Sequence, residues 1–145
     1  MNEIIRKMQN FCAYRDRSEK EVRLKLCSFG QSESTNEEII QLLKNDLFID
    51  DNRFTENYVR SKFHSAQWGK IKIKTQLRLK GVDSNIIKQH LDNIDEENYH
   101  ETIKEIISKW SRTHSSDKDR KNKLYRFLLS RGFENEVIME FFTSL

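Results

Sequence analysis

Between Val59 and Val82 the chain carries Arg60, Lys62, Lys70, Lys72, Lys74, Arg78 and Lys80, seven cations without one carboxylate. Such a stretch lowers the free energy of approaching a polyanion, whether nucleic-acid phosphate or an acidic protein surface. A merely solvated helix mixes signs and gains i, i+4 pairs, so the missing acids favour contact with an anionic partner. Lys70, Lys74 and Arg78 recur at i, i+4 and i+8 and share a helical face, while Lys72 and Lys80 fall elsewhere on the circumference. The expected cationic surface is therefore broad, with Arg53 as a peripheral member. Phe63 and Trp68 offer faces on which unpaired bases stack, but aromatics at helical spacing in a repeat are read as core. A second basic stretch holds Arg112, Lys118, Arg120, Lys121, Lys123, Arg126 and Arg131, diluted by Asp117 and Asp119. It reads equally well as a solvated face or as a secondary patch centred on Lys121, Lys123, Arg126 and Arg131.

No enzyme signature accompanies these cations. The sequence has no G-x-S-x-G, Walker A loop, dinucleotide glycine fingerprint or H-E-x-x-H. His64, His90, His100 and His114 form no i, i+4 pair that could grip a metal from one helix face, and no cofactor is implied. Asp50 and Asp51 are read as helix-start residues rather than as a Mg²⁺ site. Cys12 and Cys27 form neither a C-x-x-C nor a Cys/His cluster, which suits a reducing cytoplasm. The opening residues mix charge with apolar side chains, and no stretch nears the roughly 18 apolar residues of a membrane span. A soluble intracellular protein without catalytic function is expected.

The elements that must position the cations follow from an internal repeat. Gly30, Gly81 and Gly132 stand 51 residues apart. Each follows a leucine four positions earlier (Leu26, Leu77, Leu128) and another apolar residue four before that (Val22, Ile73, Leu124). This is a helix burying one stripe and ending at a left-handed glycine. A periodic run precedes each such helix and a second amphipathic segment follows it, around Ile39–Leu43, Ile86–Leu91 and Val137–Phe142. Ser18 with Glu21 forms a capping box, Ser34 with Glu37 and Thr35 with Glu38 offer the same pattern, and Asp50, Asp51, Asp83 and Ser84 suit helix starts. Three three-helix units are expected, at 1–49, 50–94 and 95–145, the middle one most basic. With no proline and four glycines in 145 residues, an all-β fold is disfavoured. The expected fold is all-α, an elongated, curved array of tandem repeats in which neighbours support one another, and a monomer. The formal charge is only +3, from 26 basic and 23 acidic residues, so polyanion binding rests on where the charge lies.

Four stretches together resemble the RecX family of bacterial regulatory proteins. Tyr14 to Val22 resembles the family's arginine–serine–acidic opening of the first repeat, and Phe48 to Phe54 its paired-aspartate motif. Gly69 to Val82 is similar to its central glycine–basic–leucine–lysine–glycine stretch, and Phe127 to Phe133, followed by Val137 and Ile138, to its closing Arg-Gly-Phe unit. The chain departs from many members in having Lys70, not proline, after Gly69. The resemblance implies tandem three-helix repeats that bind the RecA filament on single-stranded DNA and mainly inhibit strand exchange, ATP hydrolysis and repressor cleavage, so regulating DNA repair and the SOS response. On that reading Arg53, Arg60, Lys62, Lys70, Lys72, Lys74, Arg78 and Lys80 contact the filament or its DNA. The alternative is a protein that binds single- or double-stranded DNA directly through helix–turn–helix-like units.

Overall fold

The three repeated glycines all take the left-handed backbone expected of them, with φ of +70° at Gly30, +78° at Gly81 and +92° at Gly132. The structure is a computed structural model describing residues 2–116 and 118–143; Asp117, expected to dilute the second basic stretch, lies outside them. The described residues hold nine α-helices and one π-helical turn: α1 (Asn2–Tyr14), α2 (Glu19–Cys27), α3 (Glu33–Asn45), α4 (Asp51–Arg60), the π-helical turn Ser61–Ser65, α5 (Lys70–Leu79), α6 (Ser84–Asp92), α7 (Glu96–Thr113), α8 (Arg120–Ser130) and α9 (Asn135–Phe142). The fold is all-α with three-helix repeats. Val22, Leu26, Ile73, Leu77, Leu124 and Leu128, the repeated stripe, are at most 5% exposed. Packing groups the chain into two units, Met1–Tyr58 with Leu77–Ile87 and Val59–Gln76 with Lys88–Leu145.

In the first unit the capping box forms as read: Ser18 Oγ accepts from the Glu21 N–H at 3.3 Å and Glu21 Oε1 from the Ser18 N–H at 3.1 Å. Asp50 Oδ1 accepts from the N–H groups of Asn52 and Arg53, and Asp51 Oδ1 from that of Glu19 at 2.8 Å. Both aspartates therefore serve helix starts. The start of α3 differs from expectation, since Ser32, not Ser34 or Thr35, caps it by accepting from the Thr35 N–H. Met8, Val22, Leu26, Ile39, Ile40, Leu43 and Ile49 form the core beneath these helices. Arg23 joins α2 to α3 by donating to both oxygens of Glu37 (2.7 and 3.1 Å) and to Glu19 (3.0 Å). Where α3 stops, Leu47 occupies the left-handed position at φ +64° with its side chain 66% exposed.

In the second unit a fourth glycine sets the geometry. A Cβ on Gly69 would stand 2.3 Å from the Gly132 carbonyl carbon and oxygen, so two backbones meet where no side chain fits. The contact also serves the start of α5: the Gly69 N–H donates to the Arg131 carbonyl at 2.7 Å and the Ile71 N–H to the Gly132 carbonyl at 3.0 Å. The Lys70 N–H between them donates to the Tyr99 hydroxyl at 3.0 Å, and that hydroxyl donates to Glu134. Tyr99 is 2% exposed and packs between Phe63 and Phe133, with ring centroids 5.8 and 5.5 Å away. Burial, reinforced by the Glu134 carboxylate, pushes its phenol well above the ordinary tyrosine range.

These contacts predict a graded response at the glycines. Gly30→Ala meets nothing within 4 Å and should lose only the left-handed backbone penalty, about 1–2 kcal/mol. Gly69→Ala drives a Cβ into backbone and should lose about 3 kcal/mol, at the upper end for overpacking. Leu47→Gly should gain about 0.5–1 kcal/mol by relieving the left-handed leucine. Urea unfolding of the three variants checks the order; equal losses at Gly30 and Gly69 would refute the backbone contact.

The Arg23 guanidinium, aided by Gln41, holds the Glu37 carboxyl down from 4.5 to about 2. A carboxylate depressed in the folded state contributes stability that is full above its unfolded pKa and is lost as pH falls through the folded one. Unfolding midpoints should therefore fall between pH 4.5 and about 2, with a smaller fall for Glu37→Gln. Thermal melts across that window measure both.

Candidate functional site

The cationic stretch begins at the π-helical turn, an element in which one extra residue widens the coil and which recurs at functional sites. Beyond it, Gln67 adopts a left-handed φ of +55°, and the Trp68 N–H returns to the Lys62 carbonyl at 2.9 Å. This fold-back brings together side chains six and four residues to either side of Trp68. Lys62 Nζ stands 4.8 Å from the indole ring and Lys72 Nζ 4.5 Å. Trp68 is half-buried, whereas Phe63 is 2% exposed and belongs to the core. Trp68 thus holds two ammonium groups on one ring, each attracted by the ring quadrupole while the two repel one another. An anion placed between them relieves that repulsion.

The remaining cations divide. Lys70, half-buried, lies over the Tyr99 ring at 4.8 Å. It therefore turns inward from the face it shares in sequence with Lys74 and Arg78. Lys74 and Arg78 are exposed on α5, and so are Ile71 (49%) and Leu79 (64%). Arg60 is exposed at the end of α4, where the helix dipole favours a cation. In the first unit Lys80 lies 5.9 Å from the Tyr58 ring and near enough to Glu21 to help lower its pKa, after the Ser18 N–H and Arg15 have overcome the effect of burial. Arg53 donates to the Leu47 carbonyl at 2.9 Å, which gives it a local role in closing the end of α3.

The second basic stretch is likewise uneven. Arg131 is half-buried, donates to the Ala66 carbonyl at 2.8 Å and lies 5.1 Å from the Phe127 ring, so it supports the turn that leads into α5. Lys123 and Arg126 are exposed on α8, and Lys121 lies 5.9 Å from the Phe142 ring. Among the described residues no group of three or more His, Cys, Asp or Glu could hold a metal, and no helix is long and apolar enough to cross a membrane.

Sequence reasoning does not single out Gly69, Trp68, Tyr99 or Glu134 for these roles. One signal is present. Lys70 begins a helix with no Ser, Thr, Asp or Asn before it, so its first donors have to be met from elsewhere in the chain.

Known proteins share the fold. Residues 50–91 match the family model for the second three-helix domain of RecX, and residues 96–142 that for the third. The regulatory protein RecX of Oceanobacillus iheyensis is 34% identical over 131 residues, covering 89% of this chain and 48% of the relative. That of Clostridium acetobutylicum is 33% identical over 137 residues, covering 88% of this chain and 63% of the relative. The chain thus spans between about half and three-fifths of the length of these two curated relatives. The crystal structure of RecX from Lactobacillus salivarius superposes with a TM-score of 0.86 at 29% identity over 100% of this chain and 98% of that one. A second crystal structure, of a regulatory protein RecX, gives 0.83 at 25% identity over 94% of this chain and 68% of the other. With two of its three-helix domains matched in order and its whole length superposed on a solved member, this chain belongs to the RecX family of regulatory proteins.

Proposed function

We propose that this chain is a cytoplasmic, monomeric regulator that binds the RecA filament on single-stranded DNA and restrains its ATP hydrolysis, strand exchange and promotion of repressor cleavage. The observation that carries the reading is the stretch from Arg60 to Lys80, free of carboxylates in sequence, in which Trp68 holds Lys62 and Lys72 together while α5 presents Lys74 and Arg78 outward. Such charge suits a filament of acidic protein and DNA, because electrostatic complementarity speeds encounter and fixes orientation. The exposed Ile71 and Leu79 beside those cations favour a partner that includes protein, since phosphate gains nothing from apolar side chains. Family membership supports a regulatory rather than a catalytic role.

Titrating the protein into RecA hydrolysing ATP on single-stranded DNA tests the reading, with binding to naked single and double strands measured in the same buffer. Loss of hydrolysis at concentrations too low to coat the DNA is expected. Unchanged hydrolysis with tight naked-duplex binding would replace this function with direct DNA binding.

Two sets of variants locate the contact. Lys74→Glu with Arg78→Glu should weaken filament binding by about tenfold or more, because it reverses two exposed charges without touching the core. Unchanged binding by a variant with intact helical circular dichroism would remove α5 from the interface. Trp68→Leu leaves the net charge as it is but frees both lysines from the ring, and should weaken binding by up to about fivefold, because the cation–π contacts of about 0.5–1 kcal/mol each that hold the two lysines in position before they meet the partner are lost. Trp68→Phe should restore most of that loss in the same titration.

A further inference from the structure

Two helix faces of opposite charge are not used by the filament reading. The first lies on α3, where a groove of about 860 Å³ is lined in part by Glu37, Glu38, Gln41, Leu42 and Asp46. All five are exposed, and so is Leu47, the left-handed residue that follows. An exposed leucine in that backbone conformation costs stability and gains no burial within the chain. Among the described residues no cation lines the groove. Lys44, the one cation of α3, is drawn to Glu19 at 2.6 Å, and Glu37 is taken by Arg23. Glu38 and Asp46 stand exposed at i and i+8, with Leu42 between them at i+4 on the same face.

The second face lies on α8, which holds Arg120, Lys121, Lys123 and Arg126 without one carboxylate. Lys123, Arg126 and Leu129 are exposed at i, i+3 and i+6, within about a third of the helix circumference. Each face thus presents exposed leucine beside charges of one sign, and the two signs are opposite. Like faces repel, so α3 does not meet α3 and α8 does not meet α8; the pairing that charge favours is α3 on α8. Between copies of one chain such a contact is heterologous, because it joins two different surfaces and leaves one of each free to take a further copy.

We propose that the α3 face of one copy docks on the α8 face of the next, Glu38 and Asp46 against Lys123 and Arg126, and Leu42 and Leu47 against Leu129. One helix face on another falls below the roughly 1,200 Å² of a standard specific interface, and exposed charges are screened over about 8 Å at physiological salt. The contact is therefore weak, and dilute protein stays monomeric. It acts where copies are held side by side, and there it makes the binding of one favour the binding of the next. The contact goes beyond the filament reading and does not depend on it, because it needs neither a recombinase nor the side chains of α5.

Sedimentation velocity of the full chain at neutral pH tests it, over a range of protein concentrations at about 0.01 M and about 0.15 M salt, where the Debye length is about 30 Å and about 8 Å. The weight-average sedimentation coefficient should rise with concentration at the lower salt, despite a net charge of +3 that opposes association, and should rise less at the higher. Glu38→Lys with Asp46→Lys, and separately Lys123→Glu with Arg126→Glu, all at exposed positions, should each weaken association at least about tenfold. An equimolar mixture of these two variants should associate again, because reversed faces then meet reversed faces and native faces meet native ones. Leu47→Gly, which should stabilise the fold, should nonetheless weaken association about threefold by removing apolar contact. No rise at the lower salt, association that survives either charge reversal, or a mixture that stays monomeric would each overturn the proposal. So would association that disappears on nuclease treatment, which would give the bridge to nucleic acid, or a lysine-rich peptide that binds α3 while the chain itself stays monomeric. No recombinase is present, so failure here leaves the filament reading standing, and failure of that reading leaves this result unaffected.

Discussion

The approach of Gly69 to Gly132 is the constraint on which the second unit depends. At 2.3 Å from a notional Cβ, the opposing carbonyl leaves room for hydrogen alone, and neither partner is a side chain that could rotate away. Gly132 is restricted twice. Its φ of +92° excludes an ordinary residue, and a Cβ there would meet the Cβ of Lys72 at 2.3 Å and its backbone nitrogen at 2.6 Å. The glycine that stops α8 is thus also the surface on which α5 starts. One backbone geometry serves a helix end and a helix beginning together.

This arrangement explains how α5 can be so basic. A helix start has unsatisfied N–H donors, usually met by a Ser, Thr or Asp cap and favoured by acidic residues in the first turn. Here the carbonyls of Arg131 and Gly132 and the hydroxyl of Tyr99 take those donors. No acidic side chain is needed, and none stands among Lys70, Lys72 and Lys74 to neutralise them. The carboxylate that does take part, Glu134, reaches the helix only through the Tyr99 hydroxyl. A capping aspartate in place of Gly69 would both clash with Gly132 and cancel part of the charge that the surface presents.

What the sequence discloses and what it conceals divide along contact range. The stripe of Val22, Leu26, Ile73, Leu77, Leu124 and Leu128, the left-handed glycines and the Ser18–Glu21 box are fixed by neighbours within a few residues, and all are legible. The start of α3 is local too, yet Ser32, Ser34 and Thr35 are all competent caps, and composition cannot rank them. The candidate site is legible only as charge. Its geometry rests on partners 29 residues apart for Lys70 and Tyr99, 35 for Tyr99 and Glu134, and 65 for Arg131 and Ala66, and no periodicity encodes these. Trp68 reads as core because it is aromatic in a repeat; the fold-back of its N–H onto Lys62 leaves it half-buried, with lysines near its ring.

Equal charges in sequence are consequently unequal in the structure. Arg131 and Arg126 belong to the same basic stretch, but Arg131 is bound to the Ala66 carbonyl and helps hold the turn before α5, whereas Arg126 is exposed. Arg53 and Arg78 differ in the same way, the first donating to the Leu47 carbonyl and the second exposed on its helix. A guanidinium already donating to a backbone carbonyl gives up that bond when it turns to a phosphate or carboxylate, so its net contribution to binding shrinks accordingly. Exposed Lys74 and Arg78 give up little, while Lys62 and Lys72 relieve their mutual repulsion when an anion comes between them. The exposed charge is therefore narrower than the basic sequence that encodes it, and it includes Lys74 and Arg78, which the fold does not draw inward.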